Sequence, residues 1–139
     1  MSVVMREFSS FAEIIRYIDE NINSLKQVLA ENLRKLEDAR VKAEQYKRLQ
    51  ETLRGLIGEI PAASTKEVDL KEAGAKLYVN PDPITELKFV EEAIEKINAT
   101  ILQLQALKKS LEPWSTVEVP GKITVVIRAG VPTVFMLKL

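Results

Sequence analysis

The sequence contains no cysteine and no histidine. Disulfides are excluded, a zinc site would need carboxylates alone, and nucleophilic triads that use His or Cys cannot be built. Glycine is scarce, at five residues, and neither Gly-x-Gly-x-x-Gly nor a Walker-type Gly-rich motif occurs, so no phosphate-cradling loop or other cofactor site is expected. Net charge is also lacking: the formal value is zero, which leaves no global basic field to attract nucleic acid or an anionic membrane. Long apolar runs are missing. Unbroken runs span only a few residues, as in Val125-Val126-Ile127 and Val134 to Leu137, far short of the roughly 20 residues a membrane helix needs. The first twenty residues interleave acidic and polar side chains with apolar ones, unlike a secretory leader, and the expected location is the cytoplasm.

What is present is a heptad pattern. Hydrophobic residues make up 46% and charged residues 29% of 139, too apolar for disorder and too charged for a membrane protein. From Phe11, alternating steps of four and three select Ile15, Ile18, Ile22, Leu25, Leu29, Asn32, Leu36, Ala39, Ala43, Tyr46, Gln50, Leu53, Ile57 and Ile60. Only Asn32 and Gln50 interrupt the stripe with amides, and a lone polar residue on such a seam is expected to fix register. Ser10 with Glu13 forms a capping-box pattern at the start, and Gly55, Gly58 and Pro61 mark the end. A second stripe, Leu87, Val90, Ile94, Ile97, Ile101, Leu104, Lys108 and Leu111, begins after Asn80-Pro81-Asp82-Pro83 and stops at Pro113. The first helix is basic from Lys26 to Arg54, whereas Glu59 to Lys96 is acidic, which suits two neighbouring helices.

The expected fold is α+β and mainly α. Residues 1–113 are read as a long antiparallel coiled-coil helical hairpin with a connector at 61–83, within which 67–70 and 75–79 flank Gly74 as short strands. Residues 114–139 are read as a small β meander of three strands, Thr116–Val119, Lys122–Arg128 and Thr133–Leu139, packed on the hairpin or on a partner. Their period changes to two, with turns at Pro120-Gly121 and Ala129-Gly130. At about 1.5 Å per residue the helices measure about 75 and 42 Å. If Ile57 lies near Leu87, Ala39 and Ala43 face Leu104 and Ile101. The stripe Phe11, Ile15, Ile18, Ile22, Leu25 and Leu29 then stays uncovered by the second helix and needs a second copy, a different protein or the C-terminal strands folded back over it; a homodimer or protein partner at those residues is the favoured expectation. The apolar strand Val134, Phe135, Met136 and Leu137 is a second candidate partner strand. Trp114 is read as a plug at the helix end. The helices carry enough heptads to remain folded without the tail.

Adjacent carboxylates such as Asp19-Glu20 and Glu91-Glu92 point different ways on a helix, and acid–base chemistry needs convergent ones. The expected function is therefore a non-catalytic scaffold or accessory protein, not an enzyme. The layout from Phe11 to Leu111 resembles a prefoldin subunit, which implies a holdase chaperone. Lys66 to Val79 is short for prefoldin strands, and Ser115 to Leu139 has no place in that pattern. The heptads from Phe11 to Ile60, the β tail from Glu118 to Leu139, the chain size and the lack of His and Cys resemble a small coiled-coil arcadin. That resemblance implies a structural accessory protein of an archaeal actin cytoskeleton. Neither resemblance implies particular functional residues.

Overall fold

The computed structural model describes residues 2–58 and 66–139. The heptad position Ile60, Pro61 and the loop residues 62–65 lie outside the described residues. The elements in chain order are β1 (Val3–Phe8), α1 (Phe11–Ile57), β2 (Lys66–Leu70), β3 (Ala75–Val79), α2 (Pro83–Leu111), β4 (Ile123–Arg128) and β5 (Val131–Leu137). The molecule is mainly helical with small antiparallel sheets, so the α+β class holds.

Local chemistry sets the helix ends. The Glu13 N–H donates to Ser10 Oγ at 3.1 Å, while Ser9 donates from its N–H and hydroxyl to Glu13 Oε2 at 2.7 and 2.6 Å. The capping box thus closes on both serines. Those hydrogen bonds, led by the Ser9 hydroxyl, hold the Glu13 carboxyl below the usual glutamate range. At the other end of α1, Gly58 adopts φ of 74° and donates its N–H to the Arg54 carbonyl at 2.9 Å, a left-handed stop. α2 opens with Pro83 in its first turn, and Asp82 accepts from the Thr85 N–H at 2.8 Å.

The chain divides into two compact units, residues 1–30 with 96–139, and residues 31–95. This differs from the division at 113/114 that composition suggests. In the first unit β4 is the central strand of a sheet ordered β1-β4-β5, antiparallel throughout. β1 was not foreseen, and it takes the edge that the expected strand Thr116–Val119 would have filled. That segment is instead a turn: Val117 N–H donates to the Trp114 carbonyl at 3.0 Å, and Ser115 donates twice to the Glu112 carbonyl. The β4–β5 turn has Ala129 and Gly130 at φ of 50° and 79°, the paired positive values of a type I′ hairpin.

One face of this sheet packs on the first turns of α1 and the last turns of α2. Phe8, Ile123, Val125 and Ile127 join Phe11, Ile14, Ile18, Ile22, Ile101, Leu104 and Leu111 in a single apolar cluster. Ile14, Ile18, Leu104, Ile123 and Val125 are fully buried. Asp19 and Lys108 pair at 2.8 Å beside it, and Asn21 Nδ2 donates to the Gly130 carbonyl at 3.1 Å. Leu104 and Ile101 therefore pack with Ile18 and Ile22, not with Ala39 and Ala43 as the assumed register required. In the second unit Ala39 instead borders a hollow with Phe89 and Val90.

Candidate protein-interaction surfaces

The stripe expected to recruit a second copy is the chain's own core. Phe11, Ile18 and Ile22 are buried, and Ile15, Leu25 and Leu29 pack half-buried against the same cluster. Of the three possible covers, the structure takes the third: the β strands fold back over the start of α1, which the assumed helix register had left bare. Phe11, Ile18 and Ile22 are closed to a partner by this packing, whereas Ile15, Leu25 and Leu29 keep part of their surface in water.

Asn32 and Gln50 are half-buried, and no polar side chain among the described residues is buried. Neither amide is thus held in the dry environment in which one polar residue dictates register most strongly. Trp114 stacks its ring 5.8 Å from that of Phe11 yet remains half-exposed. It seals the start of α1 on one side only. Phe135 and Leu137 point to the core side, opposite Val125 and Ile123, while Val134 and Met136 pair with Val126 and Thr124 on the outer side. The candidate strand 134–137 is therefore a β5 segment already paired along one edge with β4.

Residues 31–95 have the reverse character. Among the described residues there, only Ala39 and Ala43 are buried. Large apolar side chains are exposed instead: Leu49, Leu56 at 77% and Ile57 at 61% on the last turns of α1, and Val68, Leu70, Leu77 and Val79 on the hairpin. Spacing of four and three places Leu49, Leu53, Leu56 and Ile57 on one helix side.

The β2–β3 hairpin explains much of this exposure. Its register pairs Val68 with Leu77, Leu70 with Ala75 and Lys66 with Val79 on one face, and Glu67 with Tyr78 and Asp69 with Lys76 on the other. Tyr78 on the second face meets the Phe89 ring of α2 at 5.1 Å, and Lys76 pairs with Glu67 at 3.2 Å. The hairpin thus turns its charged and tyrosine face to α2 and its aliphatic face outward. A lone two-stranded sheet is marginal in water, so an outward aliphatic face is an unusual expense unless something covers it. The alternation in Lys66–Leu70 and Ala75–Val79 marked the strands, but it could not say which face would be open.

Two shallow grooves mark the surface of the first unit. One, of about 350 Å³, is lined by Tyr17, Asn21, Ser24, Leu25, Lys96 and Thr100 among others. The other, of about 380 Å³, gathers Asp19, Asn23, Lys26, Lys108, Lys109 and Glu112. In the second, the Asp19 and Glu112 carboxylates both act on the Lys108 ammonium, which pairs with Asp19 at 2.8 Å. Among the described residues no group of three or more His, Cys, Asp or Glu side chains is arranged to hold a metal ion, and no helix is long and apolar enough to cross a membrane.

No protein-family model, curated protein or solved structure matches this chain.

Proposed function

We propose that this protein is a non-catalytic scaffold or accessory subunit that docks another protein on residues 31–95. The observation that carries this reading is the contrast between units. One builds a dry core of twelve large side chains, while the other buries two alanines and leaves Leu49, Leu56, Ile57 and the aliphatic hairpin face in water. Exposed apolar surface of this kind commonly marks a protein-interaction site. The partner it suits is a folded subunit of a larger assembly in the cytoplasm, such as the cytoskeletal filament that the arcadin resemblance implies. The coiled-coil pairing of α1 with α2 belongs to the same reading.

A second reading, a prefoldin-like holdase, is favoured by the same surface, since exposed Leu, Ile and Val side chains also hold unfolded chains. The two separate by stoichiometry. Tagged protein should recover one partner at fixed ratio, and Leu56→Asp with Ile57→Asp should abolish recovery without lowering the melting temperature. The holdase instead suppresses aggregation of heated clients at variable ratio. Failure of both, or recovery unaffected by the two aspartates, overturns the proposal.

A further inference from the structure

The outer face of the β1-β4-β5 sheet carries a second surface, separate from residues 31–95. The side chains alternate across each strand, and the core side is fixed by Phe8, Ile123, Val125 and Ile127. The pairs Met5–Val126 and Val126–Val134 therefore form one apolar row across all three strands on the side away from the helices. A solvated sheet face should be polar. Here Met5 is 63% and Val3 54% exposed, and Val134 is exposed as well.

Charge flanks this row asymmetrically. Two residues along the strands in one direction lies the row Glu7–Thr124–Met136, and two residues in the other lies Val3–Arg128. The pattern is acidic, apolar, basic, with each end about 7 Å from the centre. A twofold axis along the central row maps the apolar row onto itself and sets each copy's Glu7 against the other copy's Arg128 end. A twofold contact must be self-complementary in this way.

We infer that the outer sheet face, with Met5, Val126 and Val134 at its centre and Glu7 and Arg128 at its ends, is the contact between two copies of this chain. The copies stack sheet on sheet, about 10 Å apart. Three strands at about 4.8 Å and five residues at about 3.4 Å give roughly 240 Å² in plan. That is small beside the roughly 800 Å² per partner of a tight complex, so the dimer is reversible, with a dissociation constant in the micromolar range or weaker.

Sedimentation equilibrium of the full chain from micromolar to near-millimolar concentration tests this. Wild type should show a monomer–dimer equilibrium. Glu7→Arg alone and Arg128→Glu alone should each weaken it about tenfold by placing like charges together, and the two together should restore it. Met5→Lys should abolish it, with the circular-dichroism melt confirming that this surface change leaves the fold intact. A monomer at every concentration overturns the inference. So does a dimer that all these variants leave unchanged, or a double variant no tighter than the singles. Recovery of a heterologous partner on residues 31–95 is unaffected by any of these outcomes, so the two proposals fail separately.

Discussion

Ile18→Ala is the most direct perturbation of the intramolecular core. Ile18 is 0% exposed and sits among Ile14, Ile22, Leu104, Ile123 and Val125. The change deletes three carbons, about 0.8 kcal/mol each in transfer, and leaves a cavity that fully buried neighbours cannot readily fill. The expected loss is about 3 kcal/mol. For a domain of this size each kcal/mol moves the melting temperature by roughly 3 to 5 °C, so the melt should fall by about 10 °C or more. Circular-dichroism melting over a hundredfold range of concentration is the assay. A core residue costs the same at every concentration, whereas an interface residue makes the cost concentration-dependent. Leu56→Ala, at an exposed position, should change stability by less than about 0.5 kcal/mol. A loss below about 1 kcal/mol for Ile18→Ala, or one that varies with concentration, would refute the assignment of this stripe to the chain's own core.

Truncation after Pro113 removes Ile123, Val125, Ile127 and Val131, all buried, and strips β1 of its partner. The expectation that the helices stand without the tail gives way to loss of the cooperative melt and of solubility, read by circular dichroism and sedimentation. Ala129→Gly should raise stability by about 1 kcal/mol, because a Cβ at φ of 50° is strained and glycine is not. An unchanged or lower melting temperature would show that the I′ turn carries no such strain.

Much of the helical part was legible because its signals are local. Ser10 with Glu13, Asp82 before Pro83, Gly58 and the 3.5-residue stripes all act within a few residues, and the helices start and stop close to them. Helix register was not legible. A heptad stripe matches another equally well after a shift of seven, so nothing in Ala39 or Leu104 chooses between neighbours. The choice is made by tertiary contacts, such as the packing of Ile18 and Ile22 with Leu104 and the Asp19–Lys108 pair. β1 was missed for a similar reason. Val3–Phe8 runs Val-Val-Met-Arg-Glu-Phe, with no clean alternation. It is a strand because β4 offers an edge, and because Arg6 lies 5.0 and 5.1 Å from the rings of Phe8 and Tyr17. Exposure of the outer sheet face and of the hairpin's aliphatic face follows from these same long-range pairings.

The partnership of β1 with β4 also orders events in time. Val3 pairs with Arg128 and Phe8 with Ile123, so β1 waits for α1, the β2–β3 hairpin and α2 to be made before it has a hydrogen-bonding neighbour. Both helices can wind as they leave the ribosome, but Phe8, Ile14 and Ile18 remain uncovered until β4 arrives between β1 and β5. Contacts so distant along the chain close slowly. The newborn protein therefore passes through a helical, sheetless interval with its sticky first strand unsheltered. Its yield in a cell depends on how quickly β4 and β5 follow the helices.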